Sequence, residues 1–210
     1  MVADHYLTVA QDADAEIEVK RSRFLARVRR VGDEAAARAV VEECRRQYWD
    51  ARHHCSAFVL GSSGEIARSN DDGEPSGTAG APILAAITGR ELSDVVVVVT
   101  RYFGGTLLGA GGLVRAYSDA AVRGLERAGV LRRTRALRLD VRVPLAVVGR
   151  VENALRGTGL RVGDIRYAAD AVIVGALAPE LLESVRNQVA SLTQGAGLVA
   201  ETGSCWVDSC

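Results

Sequence analysis

The spacing of apolar residues changes period along the chain, and each change marks an element. From Glu16 to Val31 (EIEVKRSRFLARVRRV), Ile17, Val19, Phe24, Ala26 and Val28 alternate with polar residues. A period of two puts successive side chains on opposite faces of a strand. The alternation breaks near Arg21-Ser22, which predicts a hairpin or a bent strand. The polar segment before Ala15 is expected to fray. Asp33 suits an N-cap, and Ala36, Ala39, Val40 and Cys44 share a helical face, predicting a helix to about Tyr48. Ser56–Leu60 and Glu65–Arg68 flank the turn Gly61-Ser62-Ser63-Gly64 and predict a hairpin. Asn70–Pro82 is turn chemistry, followed by a short helix over Ile83–Thr88 that Gly89 closes. Val95–Thr100 is an unbroken β-branched run, the mark of a strand buried on both faces.

Arg101–Gly112 (RYFGGTLLGAGG) is a glycine-rich loop. Leu113–Ala128 reads as a helix: Leu113, Tyr117, Ala121, Leu125 and Ala128 face inward, and Arg115, Asp119 and Arg123 face outward. Leu131–Arg138 is a basic connection, and a domain boundary is placed near Arg133, giving domains 1–133 and 134–210. The second domain has a clear order. Ala136–Val143 alternates as a strand, Pro144 opens a helix ending near Gly157, and Leu160–Tyr167 and Ala171–Leu177 are strands. Pro179 opens another helix to about Thr193, and Gly197–Thr202 is the last strand. That sequence of elements is the β-α-β-β-α-β order of a ferredoxin-like domain, and the chain as a whole reads as α+β.

Composition narrows the picture little and charge somewhat more. With 210 residues, 48% hydrophobic and 25% charged, the chain fits one or two globular domains. No apolar run approaches the roughly 20 residues that cross a membrane, and the acidic N-terminus lacks the apolar core of a signal peptide. The cytoplasm is the expected compartment. Net charge is zero, which excludes a uniformly basic nucleic-acid coat. Of 26 basic residues only Lys20 is a lysine, so a GxxxxGK[ST] phosphate loop is impossible. Arginine suits phosphate and carboxylate contacts, but an arginine-rich surface also arises from composition bias alone. Cys44, Cys55, Cys205 and Cys210 form no CxxC pair and read as free thiols.

Three blocks are long and compositionally unusual: His53-His54-Cys55-Ser56-Ala57, Asn70–Gly80 (NDDGEPSGTAG) and Val99–Ser118 (VTRYFGGTLLGAGGLVRAYS). They resemble the IMPACT family, and the two-domain layout resembles its bacterial branch. The resemblance implies an N-terminal α/β domain with the ribosomal-protein fold of domain IV of elongation factor G. It implies a ferredoxin-like C-terminal domain similar to domain V of the same factor. Relatives often carry His-Asn-Cys where this chain has His53-His54-Cys55.

The residues of these blocks allow specific chemistry. Ser76 or Thr78 can cap the helix that follows, leaving N–H groups for an anion. Asp71, Asp72 and Glu74 oppose a naked phosphate there. Either magnesium bridges these carboxylates to phosphate, or they are used internally, with Asp71 or Asp72 on turn N–H groups and Glu74 on Arg101 or Arg115. Otherwise no cofactor is expected. Arg101 and Arg115 flank Gly104, Gly105, Gly109, Gly111 and Gly112 at a helix N-terminus, which fits an anion or nucleic-acid site; tight packing explains the same glycines. Tyr102, Phe103 and Tyr117 can stack on bases, while Phe103 and Tyr117 suit a core equally. His53 beside the carboxylates is a candidate hydrolytic metal ligand, but no nucleophile–base triad is visible and a binding protein is favoured over an enzyme.

The family resemblance implies a translation-associated regulatory protein whose partner is the ribosome, RNA or a translation-control protein. Two other readings stay open. One is a nucleotide-binding enzyme of the small-molecule-kinase type on the same fold. The other is a protein–protein regulatory module.

Overall fold

The valine run becomes β6 (Val95–Tyr102), the middle strand of a five-stranded sheet in the computed structural model, which describes residues 4–209. Its companions are β2 (Ala13–Val19), β3 (Ser22–Arg30), β4 (His53–Leu60) and β5 (Ile66–Asn70), in the order β2-β3-β6-β4-β5. Every neighbouring pair is antiparallel. Val95, Val97 and Val99 pack with α2 (Gly80–Thr88) and α3 (Ala110–Ala128) on one face. Val96 and Val98 pack with α1 (Glu34–Gln47) on the other. Both faces of β6 are thus covered, which is why its sequence does not alternate. Each fully buried valine contributes about 1.5–3 kcal/mol relative to exposure.

Several expectations meet the structure with shifted bounds. The break at Arg21-Ser22 is a two-residue hairpin turn, with Lys20 at φ 48 and Arg21 at φ 66, and Val19 pairs with Ser22. Asp33 caps α1, accepting from Ala36 N at 2.7 Å. The buried face of α1 runs through Ala37 and Cys44; Ala39 is exposed, one position off the expected stripe. The expected fraying is corrected for the described part of the opening segment, residues 1–3 lying outside the described residues: His5–Val9 is β1, with Val9 and Thr8 fully buried. The basic stretch read as a connection is strand, part of β7 (Val130–Val143). Strand pairing overrides its polar composition.

The chain divides into two compact units, one ending at Arg133 and one running from Thr134 to Ser209. After β7 the second unit continues through α4 (Val148–Gly157), β8 (Arg161–Tyr167), β9 (Ala171–Leu177), α5 (Leu182–Thr193) and β10 (Leu198–Ser209). Single 3-10 turns lead into α4 and α5. β7 lies between β9 and β10, and β8 borders β9. Leu139, Val141, Ile173, Val151, Leu155, Val185 and Val189 form a core between this sheet and its two helices. The architecture is α+β. Among the described residues no helix is long and apolar enough to cross a membrane.

Candidate functional site

The three sequence blocks converge in the first unit. His53 lies opposite Arg101, and His54 opposite Thr100, in the β4–β6 ladder, while Ser56 lies opposite Asn70 in the β4–β5 ladder. The turn after β5 then folds back over β4. Asp72, at φ 43, puts its carbonyl 2.9 Å from His53 Nδ1. Its carboxylate accepts from His54 N at 2.7 Å and from Arg45 Nη2 at 2.8 Å. His54 Nδ1 lies 3.0 Å from Thr100 Oγ1 on the other face of β4. Burial lowers the pKa of His54 below the usual histidine range.

Asp71 is used internally. Its Oδ1 accepts from Ala79 N at 2.9 Å and Gly80 N at 2.7 Å, and its Oδ2 from Gly77 N at 2.8 Å. Burial works against its charge, but these three N–H groups outweigh it and hold the carboxyl below its ordinary pKa. The expectation that Ser76 or Thr78 caps the following helix is corrected. The helix starts earlier, at Gly80, no side chain of its N-cap residue Ala79 caps it, and Thr78 Oγ1 donates to Pro75 O at 2.6 Å. Asp71 occupies the N–H groups that an outside anion would have used, and Ser76 is exposed.

Glu74 sits at the centre of a buried cluster. Its Oε1 accepts from Arg101 Nη1 and from Tyr117 OH, both at 2.7 Å. Between Arg101 and Arg115, the partner of Glu74 is therefore Arg101. Cys55 Sγ lies 3.3 Å from Tyr117 OH and 3.0 Å from Asp71 O. Burial pushes the Cys55 thiol up to about 12, and burial beside Cys55 and Glu74 raises Tyr117 further. Cys55 is thus a protonated core thiol, not a nucleophile. Tyr117 has no exposed surface and meets Phe24 edge-on at 5.1 Å, so it offers no face to a base. Asp71, Asp72 and Glu74 serve three separate sets of partners, and among the described residues no group of three His, Cys, Asp or Glu is arranged to hold a metal ion.

The glycine-rich loop divides its labour. The helix begins at Ala110, three residues before the expected start, so Gly111 and Gly112 lie in its first turn. Gly109 precedes it at φ 70. A Cβ on Gly104 would lie 2.0 Å from the carbonyl carbon of Arg21, so this glycine lets the loop touch the β2–β3 turn. Gly104 N donates to Ser22 Oγ at 3.1 Å, and Arg21 Nη2 to Thr106 Oγ1 at 3.2 Å. Arg101 and Arg115 do not act as a pair of free cations. Arg101 is buried on Glu74, and Arg115 is exposed with Nε on Gly111 O at 3.3 Å.

What opens to solvent is a groove of about 640 Å³ lined by Asp50, Ala51, Arg52, His53, Arg101, Tyr102, Phe103 and Leu107. Phe103 is 56% exposed and Leu107 84%. The Arg101 guanidinium lies 5.6 Å from the Phe103 ring centroid and 5.5 Å from that of Phe24. Tyr102 OH donates to Asp50 Oδ1 at 2.7 Å. Asp50 and Arg52 were missed in the sequence. Their one signal is position, immediately before the His53 block.

The same blocks align the chain with known proteins. A model of the Impact N-terminal domain matches residues 20–125, and a domain of unknown function (DUF1949) matches residues 141–196. The IMPACT family member YvyE of Bacillus subtilis is 41% identical over 163 residues, 78% of this chain and 75% of that protein. This chain belongs to the IMPACT family. YigZ, an IMPACT family member of Escherichia coli, is 43% identical over 119 residues, 56% of this chain and 58% of its own length. A crystal structure of a hypothetical protein superimposes with a TM-score of 0.70 at 31% identity, covering 95% of this chain and 98% of the other. His53, Asp71, Asp72, Glu74, Arg101 and Tyr117 all lie within the matched range 20–125.

Proposed function

We propose that this IMPACT protein is a translation-associated RNA-binding protein, and that the groove of Arg52, His53, Arg101, Phe103 and Leu107 holds a single-stranded segment. The observation that carries this reading is the exposed Phe103 ring stacked beside the Arg101 guanidinium on the groove wall. An aromatic face next to fixed cations suits unpaired bases, since stacking is tolerant of sequence and cations neutralise the backbone. The sequence-level expectation of an anion site between Arg101 and Arg115 is replaced by this neighbouring groove. We read the first unit as a ribosomal-protein-like α/β domain. The second is read as ferredoxin-like, on its β-α-β-β-α-β order and on β7 lying between β9 and β10. Both fold types fit an RNA-facing protein, and such a role places the chain in the cytoplasm with the ribosome.

The test is binding of a fluorescent single-stranded oligouridylate by anisotropy across a salt series. Affinity is expected to fall linearly with log salt. Phe103→Ala removes a stacking platform and is expected to weaken binding about five-fold or more. Its unfolding midpoint should hold, because the ring is half in solvent. Absence of binding at low salt, or full binding by Phe103→Ala, overturns the reading.

A further inference from the structure

His53 lines the groove, and its Nδ1 lies 2.9 Å from Asp72 O. A carbonyl oxygen can only accept, so Nδ1 holds the proton and donates it. Nε2 of the neutral ring then carries a lone pair and no hydrogen. Among the described residues, the single buried side-chain nitrogen or oxygen without a hydrogen-bond partner is Arg101 Nε. His53 is half-buried and its Nε2 has no partner in the chain, so Nε2 is an atom that solvent reaches.

The ring is held along its other edge. Asp72 presents its carbonyl to Nδ1 at φ 43, and its carboxylate is fixed by His54 N at 2.7 Å and Arg45 Nη2 at 2.8 Å. A Cβ on Gly73 would lie 3.6 Å from Nδ1 and 3.7 Å from Cε1, so the turn backs that side of the ring. What His53 offers a ligand is therefore a positioned acceptor, which calls for a donor. A phosphodiester has none. In a single strand the donors are base N–H groups and, in RNA alone, the ribose 2′-OH.

Placement decides between them. A nucleotide sets its ribose between base and phosphate. His53 follows Arg52, an exposed cation on the groove, and faces Arg101 across the β4–β6 ladder, whose guanidinium lies beside Phe103. A base on Phe103 with its phosphate toward Arg52 brings the sugar to His53.

We propose that His53 is the ribose selector of the groove: Nε2 accepts a hydrogen bond from a 2′-OH, so the groove prefers a ribose strand to a deoxyribose strand of the same bases. The inference rests on the RNA-binding reading and deepens it. Charge and stacking are satisfied by either nucleic acid, whereas this contact is open to RNA alone.

Full-length protein is titrated by anisotropy with three fluorescent strands of equal length: oligouridylate, its 2′-deoxy form and its 2′-fluoro form. The fluoro strand keeps the ribose pucker of RNA and has no 2′ donor. Oligouridylate is expected to bind about five- to tenfold tighter than either, the effect of one hydrogen bond to a fixed acceptor. His53→Phe keeps a ring and loses the acceptor. With its circular dichroism retained, it should lower oligouridylate binding and bring the three strands together. Phe103→Ala should weaken all three and keep the preference. Equal wild-type affinities for the three strands overturn the ribose contact and leave the RNA-binding groove standing. A fluoro strand that binds like oligouridylate overturns it too, since pucker then makes the choice. A preference that survives His53→Phe removes His53 from the role. Binding of no strand at low salt overturns the RNA reading itself, and the ribose contact with it.

Discussion

Glu74 and Tyr117, forty-three positions apart, share a 2.7 Å hydrogen bond at a place closed to water. The same carboxylate oxygen holds Arg101 at 2.7 Å, so one atom ties the turn after β5 to the central strand and to α3. This makes Glu74 the keystone of the IMPACT blocks, and its removal is informative. Glu74→Gln leaves the Arg101 cation buried without a counter-charge. Breaking a buried pair from one side costs about 3–5 kcal/mol. Urea unfolding should show a loss in that range, and replacing Arg101 by Met in the same chain should recover much of it. A loss below about 1 kcal/mol would contradict the buried pairing.

Asp71 predicts a pH dependence with a definite sign. Its folded pKa lies below the unfolded value, because three backbone N–H groups outweigh burial. Its contribution is therefore present above the unfolded value, about 3.9, and is lost as pH falls through the folded one. Asp71→Ala should cost about 1–2 kcal/mol at pH 7, as for loss of a helix cap. The gap between wild type and variant should close as pH drops below about 4. Chemical denaturation at several pH values measures it, and a gap independent of pH would refute the account.

The loop glycines are expected to differ among themselves. Gly104→Ala sets a methyl against the Arg21 backbone and should destabilise by about 1–3 kcal/mol. Gly111 lies in the first turn of α3, and its Cβ would meet nothing nearer than Arg115 Nη2 at 4.0 Å. Gly111→Ala should be neutral or stabilising by about 0.5–1 kcal/mol. Thermal melts of the two variants decide whether the loop's glycines serve packing at one place and mere composition at another.

Thiol chemistry follows burial. Cys55, pushed up to about 12, and Cys44, also raised by burial, should resist alkylation in the native protein at pH 8. Among the cysteines of the described residues, half-buried Cys205 should react before either. Peptide mapping after brief iodoacetamide treatment reads this directly, and early labelling of Cys55 would show that the cluster opens.

The sequence was most legible where one periodicity decided the outcome. Val95–Val99 could only be a strand covered on both faces, and the inward face predicted for α3 is the buried one, from Leu113 to Ala128. It was least legible where pairing decided. His5–Val9 and the arginine-rich start of β7 look like loop until another strand satisfies their backbone. The same limit applies to the site. Internal use of Asp71 and a bond from Glu74 to Arg101 are readable as residue types. The meeting of Cys55 with Tyr117, sixty-two positions apart, depends on packing that no local spacing encodes. The groove was missed for a related reason: Arg52 becomes notable only once β4 places it beside Arg101 and Phe103.

The β4–β6 ladder sets His53 against Arg101 and His54 against Thr100. A slip of one residue would turn each side chain to the opposite face of the sheet. Such a slip would leave Glu74 and Arg101 buried apart from each other, each an uncompensated charge. The correct register alone lets the two neutralise one another. The buried ion pair therefore works as a checksum on strand alignment, penalising a shifted register that the valines on both faces of β6 would not themselves distinguish.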